Sequence, residues 1–117
     1  MKKILVVEDD KFLANAYRVK LTKGNYEVKI ANDGEEAIKE INIFKPDLMI
    51  LDLVMPKKDG FAVLEFLKGK TNIPIIVATN LGQKEDIDRA KTLGARDYIV
   101  KTELSMGDLV AKVASHL

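Results

Sequence analysis

Short apolar runs alternate along the chain with amphipathic segments, and the alternation repeats five times. Most of the apolar runs are nearly continuous, which is typical of strands buried on both faces of a sheet. The second run instead alternates polar and apolar positions, which favours a strand that is open on one face or lies at a sheet edge. The predicted strands are "KILVV" (3–7), "YEVKI" (26–30), "DLMILDLV" (47–54), "IPIIVATN" (73–80) and "RDYIVK" (96–101).

The segments between these runs have the spacing of amphipathic helices. In the first, we expect Leu13, Tyr17 and Leu21 to form one apolar face together with Phe12 and Ala16. The fourth is polar, with only a thin apolar stripe. The predicted helices cover residues 12–24, 33–46, about 59–68, 83–95 and 105–117.

Strict alternation of strands and helices predicts an α/β fold in which helices cover both faces of a parallel sheet. The length of 117 residues fits a single domain, so residues 1–117 are predicted to form one doubly wound (βα)5 unit. Neither a linker nor a low-complexity tract interrupts this pattern.

Composition narrows the possible functions. The absence of cysteine excludes disulfides and thiolate chemistry and argues against a structural zinc site. A net charge of +1 gives no reason to expect direct binding to nucleic acid or to a membrane. No transmembrane run or signal segment is apparent, so a cytoplasmic location is expected.

Polar residues at the ends of the predicted strands are the strongest functional signal. Glu8 and Asp9 follow the first strand, Asp52 lies near the end of the third, and Thr79 and Lys101 end the fourth and fifth. Because the carboxyl ends of parallel strands share one edge, these residues should meet in one pocket. Clustered carboxylates suit Mg²⁺, and a carboxylate is also able to accept a phosphoryl group, whose charge a lysine and a hydroxyl would stabilise.

Three other polar residues have simpler interpretations. Asp10 is equally well explained as a cap of the first helix or as a metal ligand. Asp59 is interpreted as a turn or cap residue. His116, the only histidine, lies near the end of the last helix, where its charge would be favourable. Because His116 is far in sequence from the acidic residues, a phosphoryl group would have to come from a partner's histidine or from a small donor.

Four segments, in this order and spacing, resemble the signature segments of response-regulator receiver domains. They are "ILVVEDD", "PDLMILDLVMPKKDGF", "IPIIVATNLGQKED" and "GARDYIVK". The resemblance covers essentially the whole chain. It implies a flavodoxin-like fold with sheet order 2-1-3-4-5 and a phosphorylation-controlled signalling switch of a two-component system.

The resemblance also implies roles for individual residues. Asp52 matches the phospho-accepting aspartate, and Glu8, Asp9, Asp52 and the backbone carbonyl of Val54 match the Mg²⁺ ligands. The expected phosphodonor is a sensor histidine kinase or a histidine phosphotransfer protein.

The remaining matches concern the response to phosphorylation. Thr79 matches the switch hydroxyl, Lys101 the lysine that contacts the phosphoryl group, and Tyr98 the aromatic residue whose rotamer follows activation. An unidentified target would then read the face formed by the fourth helix, the fifth strand and the fifth helix.

Two positions depart from the family pattern. Asn80 stands where a small residue usually follows the switch hydroxyl, and Thr102 replaces the proline that usually follows the lysine. Because a cis bond before a residue other than proline costs about 3–4 kcal/mol, we expect a trans Lys101–Thr102 bond and an altered loop.

Two alternatives stay open at this point. An aspartyl phosphohydrolase would usually carry a second aspartate two residues after the nucleophile, and Val54 stands there. A phosphorylation-independent interaction module would not need the complete set of reactive residues. Flavin or dinucleotide binding is disfavoured, because the loop after the first strand is acidic rather than glycine-rich.

Overall fold

The computed structural model describes all 117 residues and contains five strands and five helices in strict alternation. The strands are β1 (Lys3–Val7), β2 (Glu27–Ala31), β3 (Leu48–Leu51), β4 (Ile75–Thr79) and β5 (Asp97–Val100). The helices are α1 (Lys11–Lys23), α2 (Gly34–Ile43), α3 (Gly60–Leu67), α4 (Lys84–Thr92) and α5 (Met106–Ser115). No candidate membrane-spanning helix is found among the five.

All strand pairs are parallel, and the sheet order is β2-β1-β3-β4-β5. The fold class and the strand order expected from the sequence are therefore confirmed. The alternating strand β2 lies at a sheet edge, as its pattern predicts. The continuous strands β1, β3 and β4 occupy the centre, where both of their faces are covered.

Two apolar clusters, one on each face of the sheet, hold the layers together. Alternate residues of one strand enter opposite clusters, as the period of two requires. Leu5 and Val7 of β1 contribute to the cluster beneath α2 and α3, whereas Ile4 and Val6 contribute to the cluster beneath α1 and α5.

The predicted apolar face of α1 is partly wrong. Ala14, Tyr17 and Leu21 are its buried residues, whereas Phe12 is 91% exposed and Ala16 is also exposed. At about 100° per residue, Phe12 lies roughly 180° around the helix from Leu21, so the two cannot share a face.

Helix starts follow local hydrogen bonding. Asp10, Asp33 and Asp59 each accept a hydrogen bond from the third residue of the helix that follows, and Ser105 forms a complete capping box with Asp108. Asp59, interpreted from the sequence as a turn or cap residue, is the cap of α3, and Asp10 is the cap of α1.

Candidate functional site

Strand register brings two of the acidic residues to the same level of the sheet. Val7 pairs with Leu51, so the next residues, Glu8 and Asp52, leave adjacent central strands side by side. The Asp52 N–H donates to the Val7 carbonyl at 3.1 Å. The ladder of the sheet thus holds the backbone of Asp52 in place.

The other two strand ends complete the site. Thr79 pairs with Val100 across β4 and β5, and the Lys101 N–H donates to the Thr79 carbonyl at 2.8 Å. The start of α3 packs beneath Asp52, where the Gly60 N–H donates to the Leu53 carbonyl at 3.0 Å. Main-chain hydrogen bonds therefore position both Lys101, at the end of β5, and the start of α3 relative to the site.

A charged cluster forms where these ends meet. The Lys101 Nζ donates to the Asp52 Oδ2 at 3.1 Å and also forms an ion pair with the Glu8 Oε1. The three residues are far apart in sequence but are all largely buried at this edge. Folding thus brings the acidic residues, the candidate nucleophile Asp52 and the Lys101 ammonium together.

Burial and charge act in opposite directions on this cluster. Burial raises the pKa of Glu8, and this outweighs the hydrogen bonds that its carboxylate accepts from Lys101 and from the Asp10 N–H. Burial alone would lower the pKa of Lys101, but its contacts with Glu8 and Asp52 prevail and raise it. Lys101 therefore stays an ammonium, whereas the Glu8 carboxylate would gain from further positive charge.

The acidic group fits a divalent cation. Carboxylate oxygens of Glu8, Asp9 and Asp52 lie within 4.8 Å of one another, and Lys101 alone balances their charge. Asp10 is not part of this group; its Oδ1 accepts from the Leu13 N–H at 3.0 Å. The three carboxylates carry more negative charge than one lysine neutralises, and Mg²⁺ prefers oxygen ligands of this kind.

A cleft of about 320 Å³ opens over the cluster to solvent. All of the site residues expected from the sequence line this cleft except Tyr98; the lining is Glu8, Asp9, Asp10, Asp52, Val54, Thr79, Asn80 and Lys101. The cleft leads to the Asp52 carboxylate, and Thr79 lies in its wall at 0% exposure.

Tyr98 lies beside this cleft and contacts the connection between β4 and α4. Its hydroxyl donates to the Leu81 carbonyl at 2.6 Å, and the Leu81 N–H approaches the Thr79 Oγ1 at 3.5 Å. Burial raises the pKa of Tyr98 to about 12, with smaller contributions from Asp86 and Asp52, so its hydroxyl stays a donor. Leu81 thus connects the two expected switch residues.

The chain has no cis peptide bond, so the prediction of a trans Lys101–Thr102 bond is confirmed. Asn80 is exposed at the rim of the cleft.

Two features of the structure, the first of them in the site region, were not predicted from the sequence. A Cβ built on Gly60 would overlap the Asp52 carbonyl and lie 2.6 Å from the Leu53 Cα, so Gly60 permits a close approach and not merely a turn. His116 caps the C-terminus of α5, but it also contacts Asp97 at 3.1 Å, beside Lys112. For Gly60, the only signal in the sequence was its position directly after the capping residue Asp59. For the contact between Asp97 and His116, the sequence contains no signal.

Comparison with known proteins gives a consistent family. The model of the response regulator receiver domain matches residues 4–114. A probable transcriptional regulator, ycf27, of Cyanophora paradoxa is 41% identical over 116 residues, which are 99% of this chain and 48% of that protein. The alkaline phosphatase synthesis transcriptional regulatory protein PhoP of Bacillus subtilis is 40% identical over 86% of this chain and 42% of its own length.

Solved structures show the same fold. The BeF3-activated N-terminal receiver domain of Klebsiella pneumoniae RstA superposes with a TM-score of 0.92 at 32% identity, covering 98% of this chain and 97% of that one. The chain spans about half the length of the curated relatives that it matches. On its strand order, its acidic cleft and these matches, the chain belongs to the response regulator receiver domain family.

Proposed function

We propose that this domain is a phosphorylation-controlled switch in which Asp52 accepts the phosphoryl group. The observation that carries the proposal is the Lys101 Nζ, 3.1 Å from the Asp52 Oδ2 and bonded to Glu8 at the base of an open cleft. Glu8, Asp9, Asp52 and the Val54 carbonyl would hold Mg²⁺. The bound ion would neutralise charge on the carboxylates and on the transferred group.

The side chains would act in sequence around Asp52. One carboxylate oxygen attacks the phosphorus of a partner's phosphohistidine in line, so that a P–O bond forms while the P–N bond breaks and the imidazole departs with the electron pair. Lys101 then exchanges its contact with Asp52 for one with a phosphoryl oxygen. The Thr79 hydroxyl donates to another.

The switch would spread from Thr79 through the β4–α4 connection. A Thr79 hydroxyl that turns towards the phosphoryl group gives up its contact with the Leu81 N–H, on the same residue whose carbonyl accepts from Tyr98. The phosphoryl group would thereby bias an equilibrium between two arrangements of the face formed by α4, β5 and α5. A downstream target would read that face.

We expect the donor to be a sensor histidine kinase or a histidine phosphotransfer protein. The relatives from Cyanophora and Bacillus are described as transcriptional regulators, and this domain corresponds to about half of each. We therefore propose that the whole protein controls transcription. An ester-hydrolysing enzyme is the weaker candidate because Val54, which is 58% exposed at the cleft, offers no general acid.

The direct test is labelling with a small phosphodonor such as acetyl phosphate, with and without Mg²⁺. The wild-type chain should gain one phosphoryl group in intact-mass measurements, only with Mg²⁺ present, and lose it with hydroxylamine, as an acyl phosphate does. Asp52→Asn should abolish the labelling because the amide is a poor nucleophile.

Asp59→Asn is the matched control. Asn is an equally good N-cap, so α3 should form as before, and Asp59 does not line the cleft. Full labelling of Asp52→Asn, or equal labelling after chelation of Mg²⁺, contradicts the proposal. Catalytic turnover of a phosphate ester would favour the hydrolase instead.

A further inference from the structure

A second cavity lies between α1 and the connection from β5 to α5. Its volume is about 170 Å³, and its lining is mostly apolar, with residues from α1, from α5 and from the adjacent strands β4 and β5. They include Leu13 of α1, Ala78 of β4, Ile99 of β5 and Leu109 of α5. Lys101 lines both this α1–α5 cavity and the acidic cleft, so the two openings share one wall.

Tyr17 places one polar group in this apolar lining. The residue is only 2% exposed, and the tyrosine hydroxyl that forms a hydrogen bond within the chain is that of Tyr98, not that of Tyr17. The structure contains no fully buried polar side-chain atom without a partner, so the Tyr17 hydroxyl oxygen is not completely enclosed by the protein. The space that Tyr17 lines is the α1–α5 cavity. Buried tyrosine hydroxyls normally find a partner, so this donor is available to a ligand.

We propose that the α1–α5 cavity binds a small uncharged aromatic molecule whose hydrogen-bond acceptor meets the Tyr17 hydroxyl. The volume suits one aromatic ring, since a cavity of roughly 150 Å³ lined by apolar side chains is able to hold benzene. Burial raises the pKa of Tyr17, and the negative charges of Glu8 and Asp52 raise it further, so the group is a neutral donor. The same two charges disfavour an anionic ligand.

An aromatic side chain from a second copy is the competing occupant. Phe12 is 91% exposed and adjoins Leu13 at the cavity wall. A phenyl ring, however, has no acceptor for the Tyr17 hydroxyl and would leave that donor unpaired in an apolar site. Leaving a buried donor unpaired is costly, so a ligand with an acceptor fits the lining better.

Occupancy of the cavity would affect the acidic cleft through the side chain of Lys101. A ligand packed against the stem of Lys101 restricts the positions available to its ammonium, which now bridges Glu8 and Asp52. The rate of phosphoryl transfer would change as a result. This consequence rests on the proposed function, whereas ligand binding itself does not.

Binding is tested with phenol and toluene, which have nearly the same shape but differ in the acceptor. Each is titrated into the 117-residue chain, and the backbone amide resonances are followed by NMR. Shifts should saturate and cluster around Leu13, Ile99 and Leu109, with phenol bound about five- to tenfold more tightly than toluene, as one hydrogen bond would provide.

The variant Tyr17→Phe keeps the ring and removes the hydroxyl, so it should abolish the preference for phenol and leave toluene binding unchanged. Tyr26→Phe, which makes the same change outside the cavity, should retain the preference. Equal affinities in the wild-type chain, an unchanged preference in Tyr17→Phe, or shifts scattered over the surface would each overturn the proposal. A further result would also overturn it: amide resonances of the ligand-free protein that shift with protein concentration, and no longer do so in Phe12→Ser. The occupant of the cavity would then be a second copy of the chain.

Discussion

The missing side chain of Gly60 lets the first turn of α3 pack directly beneath Asp52. Gly60→Ala would place a methyl group against the Asp52 carbonyl and the Leu53 Cα, which are main-chain atoms unable to rotate away. We expect a loss of about 1–3 kcal/mol in the free energy of unfolding, as overpacking of a closed core produces. Urea denaturation measures this loss, and the phosphodonor labelling rate should fall with it.

Gly107→Ala is the matched control for that substitution. Gly107 is exposed in the first turn of α5, where the nearest atom to a new Cβ is the Ser105 Oγ at 3.8 Å. The same change should stabilise the domain there by about 0.5–1 kcal/mol, because alanine loses less backbone entropy on folding. Equal effects at the two positions would contradict the packing argument.

Lys101 is the single counter-charge of the acidic group. In Lys101→Met the carboxylates of Glu8 and Asp52 lose their partner, so the metal-free domain should lose up to about 3 kcal/mol of stability. Mg²⁺ should then bind several-fold more tightly, because it no longer competes with an ammonium, while labelling of Asp52 slows.

Isothermal titration with Mg²⁺ and thermal unfolding measure these opposite effects. Lys112→Met, which removes a lysine paired with Asp97 far from the acidic group, should leave the affinity for Mg²⁺ unchanged. Weaker binding of Mg²⁺ to Lys101→Met would show that the three carboxylates do not hold the ion.

At the scale of elements, Asp97 joins β5 to α5. Its carboxylate accepts hydrogen bonds from Lys112 and from the Tyr98 N–H, and it contacts His116 at 3.1 Å. Burial opposes ionisation of Asp97, but these contacts prevail and lower its pKa below 3.8. Since the folded domain binds this proton less readily than the unfolded chain, the contribution is present above pH 3.8 and is lost as the pH falls further.

Asp97→Asn should therefore cost about 1 kcal/mol near neutral pH, and its difference from wild type should shrink as the pH falls below 3.8. Chemical denaturation across this range measures the difference. Asp88→Asn supplies the control, because Asp88 forms an exposed pair with Lys84 within α4 and should contribute at most about 0.5 kcal/mol. A difference at Asp97 that grows in acid would refute the interpretation.

The elements also show where sequence reasoning succeeds. Apolar runs and the polar residues that end them are local patterns in the sequence. The alternation of strands and helices, and the candidate site at the strand ends, followed from these patterns. Burial on α1 did not, since Phe12 is apolar but lies opposite Leu21 around the helix. Contacts such as Tyr98 with Leu81 depend on how a loop folds back, which no local periodicity encodes.

Across the whole molecule, the helices differ in how firmly they are anchored. Helix α3 buries five residues, whereas α4 buries only Ala90 and has no side-chain hydrogen bond at its N-cap. The Arg89 guanidinium lies over the Phe61 ring of α3, 4.2 Å from the ring centroid. A helix with so little buried surface should open at a low free-energy cost.

Hydrogen exchange followed by mass spectrometry or NMR tests this ranking. Amides of α4 should exchange well before those of α3 and of strands β1, β3 and β4, and Arg89→Gln should widen the gap. If the proposed switch operates, beryllofluoride added with Mg²⁺ should change protection in α4, β5 and α5 and leave α2 unaffected. The elements that move in a conformational switch are drawn from the least stable parts of a structure. If α4 is as protected as α3, or if beryllofluoride changes protection elsewhere, the proposed switch does not act by shifting the equilibrium of α4.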